Sequence, residues 1–207
     1  MRPLALTVLA LLAAVGCTSE PAAPELDRPA LRAGWERWVS SRDSLFRSPA
    51  SPLLDADQAA FSGLPYFPYD SSLAVPAALV PAMRQDTVAF PTTSGELQRH
   101  VTAGHLVFEA GGVQWRLEAY ESVGGPEGRL FVPFRDATSG RQTYGGGRYL
   151  DLKLQPSGRY ALDLNRAYNP YCVYDVSYSC PLPPAENRLE LAVTAGEQMP
   201  AAPAPAE

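Results

Sequence analysis

The chain has 207 residues and a formal net charge of -5, with 46% hydrophobic and 19% charged residues, as expected for a globular protein with a sizeable core. Its 16 glycines and 21 prolines exceed average usage and favour turns, short strands and a loop-rich β architecture. The sequence contains no basic stripe, so nucleic acid is not an expected partner.

The first residues have the pattern of an export signal. Arg2 precedes an apolar stretch at positions 4–15, which is too short to span a membrane permanently. The stretch continues into A-V-G-C at positions 14–17, which resembles the lipobox of bacterial lipoprotein precursors. The resemblance implies cleavage before Cys17 and lipidation of that cysteine; the alternative is an ordinary secretory signal with a chance cysteine.

The lipobox resemblance sets the expected domain layout and location. We expect a lipoprotein signal peptide at residues 1–16, a Pro/Ala-rich tether at 17–26, one β-rich domain at 27–197 and a disordered tail at 198–207. The expected location is extracytoplasmic, with the lipid on Cys17 holding the protein at a membrane. Thr18 stands where an aspartate would indicate inner-membrane retention, so the outer membrane is favoured if the source has two membranes.

An amphipathic helix is predicted to open the domain. Asp27 is placed to cap it, and Pro29 suits its first turn. Apolar residues then recur at helical spacing, including Trp35, Trp38 and Phe46. The favoured interpretation is that this stripe packs on a sheet; the alternative is a helix that lies on a membrane or binds a partner.

The clearest β element is a hairpin around the turn Gly111-Gly112. A two-residue turn predicts which residues of the two strands face each other. On one face the pairs are Ala110 with Val113, Phe108 with Trp115 and Leu106 with Leu117. On the other face they are Glu109 with Gln114, Val107 with Arg116 and His105 with Glu118. Both series agree in parity, so the register is well defined. His105 next to Glu118 is more typical of a surface pair than of a catalytic dyad.

Further short strands are predicted along the rest of the chain. They are Thr87–Phe90, Leu97–Thr102, Arg129–Phe134, Tyr149–Leu154, Tyr160–Asn165 and Arg188–Thr194. A three-residue loop, Gln155 to Ser157, keeps Asp151 from facing Asp163 and sets Tyr149 opposite Asp163. Together these elements predict a mainly β fold, a single antiparallel β-sandwich or partly closed β-barrel with the N-terminal helix packed against it.

Cys172 and Cys180 remain after Cys17 is assigned to lipid. Two cysteines eight positions apart in an exported domain predict a disulfide that closes a short loop. A metal site is the alternative, but it lacks C-x-x-C spacing and only His100 and His105 remain to complete it. We therefore expect no metal and no cofactor.

Four segments resemble the uncharacterised bacterial family known as domain of unknown function 1684. They are L-F-V-P-F-R-D-A-T-S-G from residue 130, T-Y-G-G-G-R-Y-L-D-L from 143, D-L-N-R-A-Y-N-P-Y-C from 163 and C-P-L-P-P-A-E-N-R-L from 180. The resemblance covers roughly Trp35 to Glu197, and it implies no known activity, substrate or cofactor.

The same segments supply the candidate ligand-binding residues. These are Arg135, Asp136, Tyr144, Arg148, Tyr149, Asp163, Asn165, Tyr168, Asn169, Glu186 and Asn187. If they converge, they form either a buried hydrogen-bond network that holds loops together or a pocket for a small polar ligand, such as a sugar or a carboxylated metabolite. The glycines at 145–147 lack a phosphate-loop or dinucleotide pattern and favour a structural turn.

No catalytic motif is present in the sequence. It has no G-x-S-x-G elbow and no H-E-x-x-H helix. Asp163 and Glu186 are the carboxylates that a glycosidase-like mechanism would use, and a structural or interaction role in the cell envelope is a further alternative. The expected partners are the membrane, through the lipid, and a small polar ligand or envelope component; the oligomeric state is not determined by the sequence.

Overall fold

The computed structural model describes residues 26–156 and 158–200. The signal peptide, Cys17 and nearly all of the predicted tether and tail lie outside these residues. Helix α1 spans Arg28–Phe46, and the carboxylate of Asp27 accepts a hydrogen bond from the backbone N–H of Ala30 at 3.0 Å, which confirms the predicted cap. A short helix, α2, follows at Asp55–Ala59. Within the described residues, no helix is both long and apolar enough to cross a membrane.

Seven strands form one antiparallel sheet. They are β1 Ala74–Pro81, β2 Thr87–Pro91, β3 Leu97–Ala110, β4 Val113–Ser122, β5 Arg129–Phe134, β6 Arg148–Lys153 and β7 Tyr160–Asp163. The strands follow the order β6-β5-β4-β3-β1-β7, and β2 also pairs with β3. The two terminal strands meet at one bridge, between Leu154 and Tyr160. The sheet is therefore nearly closed into a barrel, as the predicted mainly β fold allowed.

The β3–β4 hairpin has the predicted register at every position, from Ala110 opposite Val113 to His105 opposite Glu118. Beyond it the register shifts between Thr102 and Gly104. Gly104 has a φ of +140°, and a side chain there would collide with the backbone of Val80. Such a bulge reverses the alternation of inward and outward side chains along a strand. His100 therefore lies on the outer face of the sheet, whereas Leu106 and Phe108, on the other side of the bulge, point inward.

The core fills the inside of the barrel. Its fully enclosed members come from most strands and from segments that cross the barrel, and they include Leu106, Leu117, Val132, Phe134, Leu150, Leu162, Leu164 and Val193. Outside the barrel, Trp35 of α1 packs against Tyr66 and Tyr69 with ring centroids 6.5 and 5.3 Å apart. The helix thus contacts the sheet partly through the loop that carries Tyr66 and Tyr69 rather than lying directly on strands.

Two details of the sequence interpretation were wrong. Strands β6 and β7 do not form a hairpin with a three-residue loop, because β6 pairs with β5 and β7 pairs with β1. Among the described residues, the ends of β6 and β7 are joined by the Leu154–Tyr160 bridge and by a hydrogen bond from the N–H of Gln155 to the carbonyl of Arg159. The structure also has no strand at Arg188–Thr194; its alternation arises because Leu189 and Val193 insert into the core from an irregular segment.

Strand β1 was not specified by the sequence pattern, since it contains Pro76 and ends at Pro81. Proline cannot donate to a ladder and argues against an interior strand. Here the first half of β1 pairs with β7 and the second half with β3. Each half of β1 pairs with one neighbouring strand rather than with two, so the prolines are tolerated.

Candidate functional site

Arg148 and Asp136 form a buried ion pair at the end of the barrel. One Nη of Arg148 donates to Oδ2 of Asp136 at 3.0 Å and to the carbonyl of Val193 at 2.9 Å. The other Nη donates to the carbonyls of Ala195 and Glu197. Burial lowers the pKa of Arg148, while Asp136 acts in the opposite direction. These two predicted site residues therefore hold residues 193–197, which we call the C-terminal segment, against the barrel.

The three predicted asparagines also make internal contacts. Asn165 joins the backbone of Asp70 through two hydrogen bonds of 2.8 Å. The side chain of Asn169 donates to the carbonyl of Gln198, and its backbone N–H donates to buried Glu197. Both side chains are at most 1% exposed. They fasten loops to the barrel, as one of the two sequence hypotheses required.

Asn187 lies between β4 and β5, which share a single register pair, Tyr120 with Phe131. Its side-chain oxygen accepts from the N–H of Glu118 at 2.7 Å. Its amide nitrogen donates to the carbonyls of Glu118 and Pro133 at 2.9 and 2.7 Å. The side chain thus supplies hydrogen bonds that direct strand pairing would otherwise make, while Glu186 beside it is exposed.

Arg135 and Tyr144 surround the triple-glycine turn. The guanidinium of Arg135 donates to the carbonyl of Gly146 at 3.4 Å, and the ring of Tyr144 lies where a side chain on Gly146 would stand. Gly147 has a φ of +100°, and a Cβ there would lie 2.6 Å from the carbonyl of Phe134. The glycines therefore serve close backbone packing in a turn.

Cys172 and Cys180 are free thiols in the structure, and Cys180 is buried. They lie next to each other, because the N–H of Cys172 donates to Sγ of Cys180 at 3.3 Å. The hydrogen bond from Cys180, with further bonds from Thr93 and Tyr144, lowers the pKa of Cys172 to about 6. The predicted disulfide is not present here and stays a prediction.

A cleft of about 450 Å³ lies between α1, the outer face of the sheet and the loop that carries the two cysteines. We call it the aromatic cleft. Six aromatic rings line it, those of Trp38, Phe131, Tyr149, Tyr168, Tyr171 and Tyr178. Polar groups of Arg42, His100 and Asp151 lie among them. Its volume is within the range that small-molecule sites take, roughly 300–1,000 Å³.

The rings of the aromatic cleft contact one another across the strands. His100 stacks on Phe131 with centroids 5.0 Å apart, and Phe131 meets Tyr149 edge-on at 4.9 Å. Tyr149 meets Tyr168 at 5.8 Å, and the guanidinium of Arg42 lies 4.8 Å from the Tyr168 ring. Edge-to-face and stacked contacts of this kind stabilise the packing of the rings, which we call the aromatic platform.

His100 is the unusual polar group of the aromatic cleft. It is only 3% exposed, and neither ring nitrogen makes a hydrogen bond of standard geometry within residues 26–156 and 158–200, although the backbone of Glu121 lies close enough to act on the ring. Burial lowers the pKa of His100, and the backbone of Glu121 opposes this shift only in part. A neutral imidazole carries one donor and one acceptor, and both nitrogens are buried here.

Arg42 connects the aromatic cleft to the C-terminal segment. Its Nε donates to the carboxylate of Glu197, which is fully buried and also accepts from Asn169. Burial acts to lower the pKa of Arg42, but the charge of Glu197, the hydrogen bond to it and the nearby tyrosines together outweigh burial, and the pKa is raised overall. Arg42 therefore stays charged at the edge of the cleft.

The structure divides the predicted site residues among several places. Tyr149 and Tyr168 line the aromatic cleft, and Asp163 lines two further cavities beside α1. The other predicted residues belong to the internal contacts and turns described above or, for Glu186, to the surface. Sequence reasoning missed His100, Phe131 and Trp38 as cleft residues, because they come from separate elements that only the folded barrel brings together.

The fold is a mainly β, nearly closed barrel with the long helix α1 near its N-terminus and a cleft lined by aromatic rings on its outer face. The family model described as "Protein of unknown function (DUF1684)" matches residues 59–198. The chain belongs to this family, which confirms the family predicted from the sequence.

A solved relative supports the same fold. The solution NMR structure of an uncharacterized protein of Haloarcula marismortui is 34% identical to this chain and superposes with a TM-score of 0.68. The match covers 83% of this chain and 96% of the other. No curated protein matches.

Proposed function

We propose that this protein binds a saccharide or a similar small, hydroxyl-rich ligand in the aromatic cleft. The observation that supports the proposal is the combination of aromatic faces with the buried, unpartnered imidazole of His100 in one concave site. Sugars present apolar faces that stack on aromatic rings and hydroxyl groups that both donate and accept. The cleft offers partners for each of these features.

The polar groups of the cleft suit a neutral ligand with hydroxyls. The carboxylate of Asp151 accepts from the hydroxyl of Tyr168 at 2.8 Å and keeps further acceptor capacity. Arg42 is already paired with Glu197, so its charge does not demand an anionic ligand. Hydrogen bonds from His100 and Asp151 would fix the orientation of a sugar ring on the aromatic platform.

Tyr178→Ala is expected to weaken binding about tenfold, because it removes one aromatic face worth about 1.4 kcal/mol. Tyr178 lines the cleft and is 38% exposed, so its replacement should leave the fold intact. Val176→Ala is the matched control, since Val176 lies in the same loop and is 95% exposed. Isothermal titration of the purified full chain with glucose and N-acetylglucosamine measures the effect. Binding that is equal in all three proteins would contradict the proposed cleft.

We further propose that the protein is held at the extracytoplasmic side of a membrane by lipid on Cys17. The proposal is supported by the lipobox-like A-V-G-C at positions 14–17. Cys17→Ser is expected to move the protein from the membrane fraction to the soluble fraction, because no other acyl attachment is implied. Immunoblots of the two fractions measure this shift, and a variant that stays with the membrane would refute lipidation.

In the exported protein we expect Cys172 and Cys180 to be joined. Their proximity and the lowered pKa of Cys172 support its attack as a thiolate. Formation of the bond removes two electrons and two protons, which an external disulfide can accept. Alkylation of the unfolded, unreduced protein followed by mass spectrometry is expected to leave both cysteines unmodified. Two alkylated thiols would show that the pair stays reduced.

A further inference from the structure

We infer that the aromatic cleft is one end of a longer groove and that its ligand is an oligosaccharide chain rather than a single sugar. This inference rests on the proposed saccharide binding. The groove continues along α1 to the place where the barrel fails to close between β6 and β7, which we call the seam.

The seam is a second cavity of about 390 Å³. Beyond the Leu154–Tyr160 bridge, β6 and β7 make no further register pairs within the described part of the chain; β6 is joined to this side of the barrel again at Tyr149, which pairs with Tyr168 just after β7. Residues of β6 and β7 line the seam on both sides, and Leu31 and Trp38 of α1 line it from outside the barrel. The helix therefore covers the open edge without filling it.

The seam and the aromatic cleft are adjacent. Trp38, Asp151 and Tyr168 line both of them. The hydroxyl of Tyr168 donates to Asp151 at 2.8 Å, so one polar pair and one indole lie where the two cavities meet. A chain molecule that lies on the aromatic platform can continue past this junction into the seam.

Asp163 gives the seam a polar group of its own. It is 4% exposed, and its Oδ1 accepts from the backbone and side-chain nitrogens of Asn165 at 3.1 and 2.8 Å. Its Oδ2 is buried without a hydrogen-bond partner among the residues that the structure describes. A buried carboxyl oxygen without a partner is costly, and a ligand hydroxyl in the seam would satisfy it.

The two unpartnered groups lie at opposite ends of the groove. His100 is on β3, and Asp163 is at the end of β7, across the seam from β6. The ring of His100 lies 5.0 Å from that of Phe131, which lies 4.9 Å from that of Tyr149 on β6, and of the two cavities His100 lines only the aromatic cleft and Asp163 only the seam. A ligand that satisfies both groups must therefore be longer than one sugar ring.

The charges of the seam favour a neutral chain. Asp151 and Asp163 are accompanied by Arg129, Lys153 and Arg166 on the same walls, so neither sign dominates. Leu150 and Leu152 add apolar surface. A neutral glycan, with apolar ring faces and hydroxyl edges, matches this surface better than a polyanion or a polycation.

The test compares short and long neutral glycans on the purified full chain by isothermal titration. The probes are glucose, cellohexaose, maltohexaose, N-acetylglucosamine and chitohexaose. At least one hexasaccharide is expected to bind 30-fold or more tightly than its own monosaccharide. Asp163→Asn keeps an acceptor for Asn165 but replaces the unpartnered oxygen by a donor, and it should remove about tenfold of the hexasaccharide affinity while leaving the monosaccharide unchanged.

Asp86→Asn is the matched control, because Asp86 lies at the β1–β2 loop and is 61% exposed in its side chain; it should bind like the original protein. Leu31→Trp narrows the seam from the side of α1, so it should also weaken binding of the hexasaccharide and leave binding of the monosaccharide unchanged. It is the second test variant if Asp163→Asn fails to fold. Equal affinity for short and long glycans, or equal losses for both, would overturn the extended groove while leaving the cleft proposal standing. Absence of binding by every probe would overturn the cleft proposal itself.

Discussion

Replacing Arg148 with methionine is expected to lower the free energy of unfolding by about 3–5 kcal/mol, the usual cost of removing one partner of a buried ion pair. The carboxylate of Asp136 would lose its charged donor at 3.0 Å while remaining buried. The carbonyls of Val193, Ala195 and Glu197 would lose their donor as well. Since these carbonyls belong to the C-terminal segment, we expect that segment to detach before the barrel unfolds.

Urea unfolding followed by circular dichroism measures this effect. Arg188→Met is the matched control, because the Arg188 side chain is 65% exposed and lies 3.9 Å from Glu190; exposed pairs contribute little. The double variant Arg148→Met with Asp136→Asn should recover part of the loss, since it removes the uncompensated charge. A single variant as stable as the control would mean that Asp136 is not a charged partner of Arg148.

Asn187→Ala is expected to lower the free energy of unfolding by about 2–4 kcal/mol. The change removes three hydrogen bonds and leaves the N–H and carbonyl of Glu118 and the carbonyl of Pro133 without that partner. Net hydrogen bonds contribute about 1 kcal/mol each, and buried groups left unpaired cost more. Asn187→Asp should be no better, because its second oxygen would face two carbonyl acceptors.

Glu186→Ala is the control for Asn187, since the two residues are adjacent and Glu186 is exposed. Thermal unfolding of both variants against the original protein makes the comparison. Hydrogen exchange of the β4 amides should be faster in Asn187→Ala alone, because Asn187 accepts directly from the N–H of Glu118. Unchanged exchange at that amide would show that β4 and β5 hold together without the asparagine.

The losses of stability expected for the Arg148 and Asn187 variants assign a structural role to several of the predicted site residues. Arg148, Asp136 and Asn187 are polar and lie in distinctive motifs, so the sequence favours a buried network and leaves ligand contacts as the alternative. The structure gives each of them internal partners. The proposed ligand contacts move instead to the neighbouring outer face, where Tyr149 and Tyr168 remain and His100 joins them.

Local patterns predicted much of the fold because the signals were local. The cap at Asp27 and the turn at Gly111-Gly112 act within a few residues, so α1 and the β3–β4 hairpin could be read directly. The irregular segment at Arg188–Thr194 imitated a strand because an extended chain that buries alternate residues has the same pattern. Strand β1 was missed because its prolines argue against a strand, although the chain there forms one.

By itself, the sequence determined the mainly β class, the helix, the hairpin register and the family. Only the tertiary structure decided which polar residues are buried partners and which face a cavity. The face of His100 depends on a bulge at Gly104, and the aromatic cleft depends on side chains from α1, four strands and the cysteine loop. Long-range packing places these groups together, and no spacing along the chain encodes that proximity.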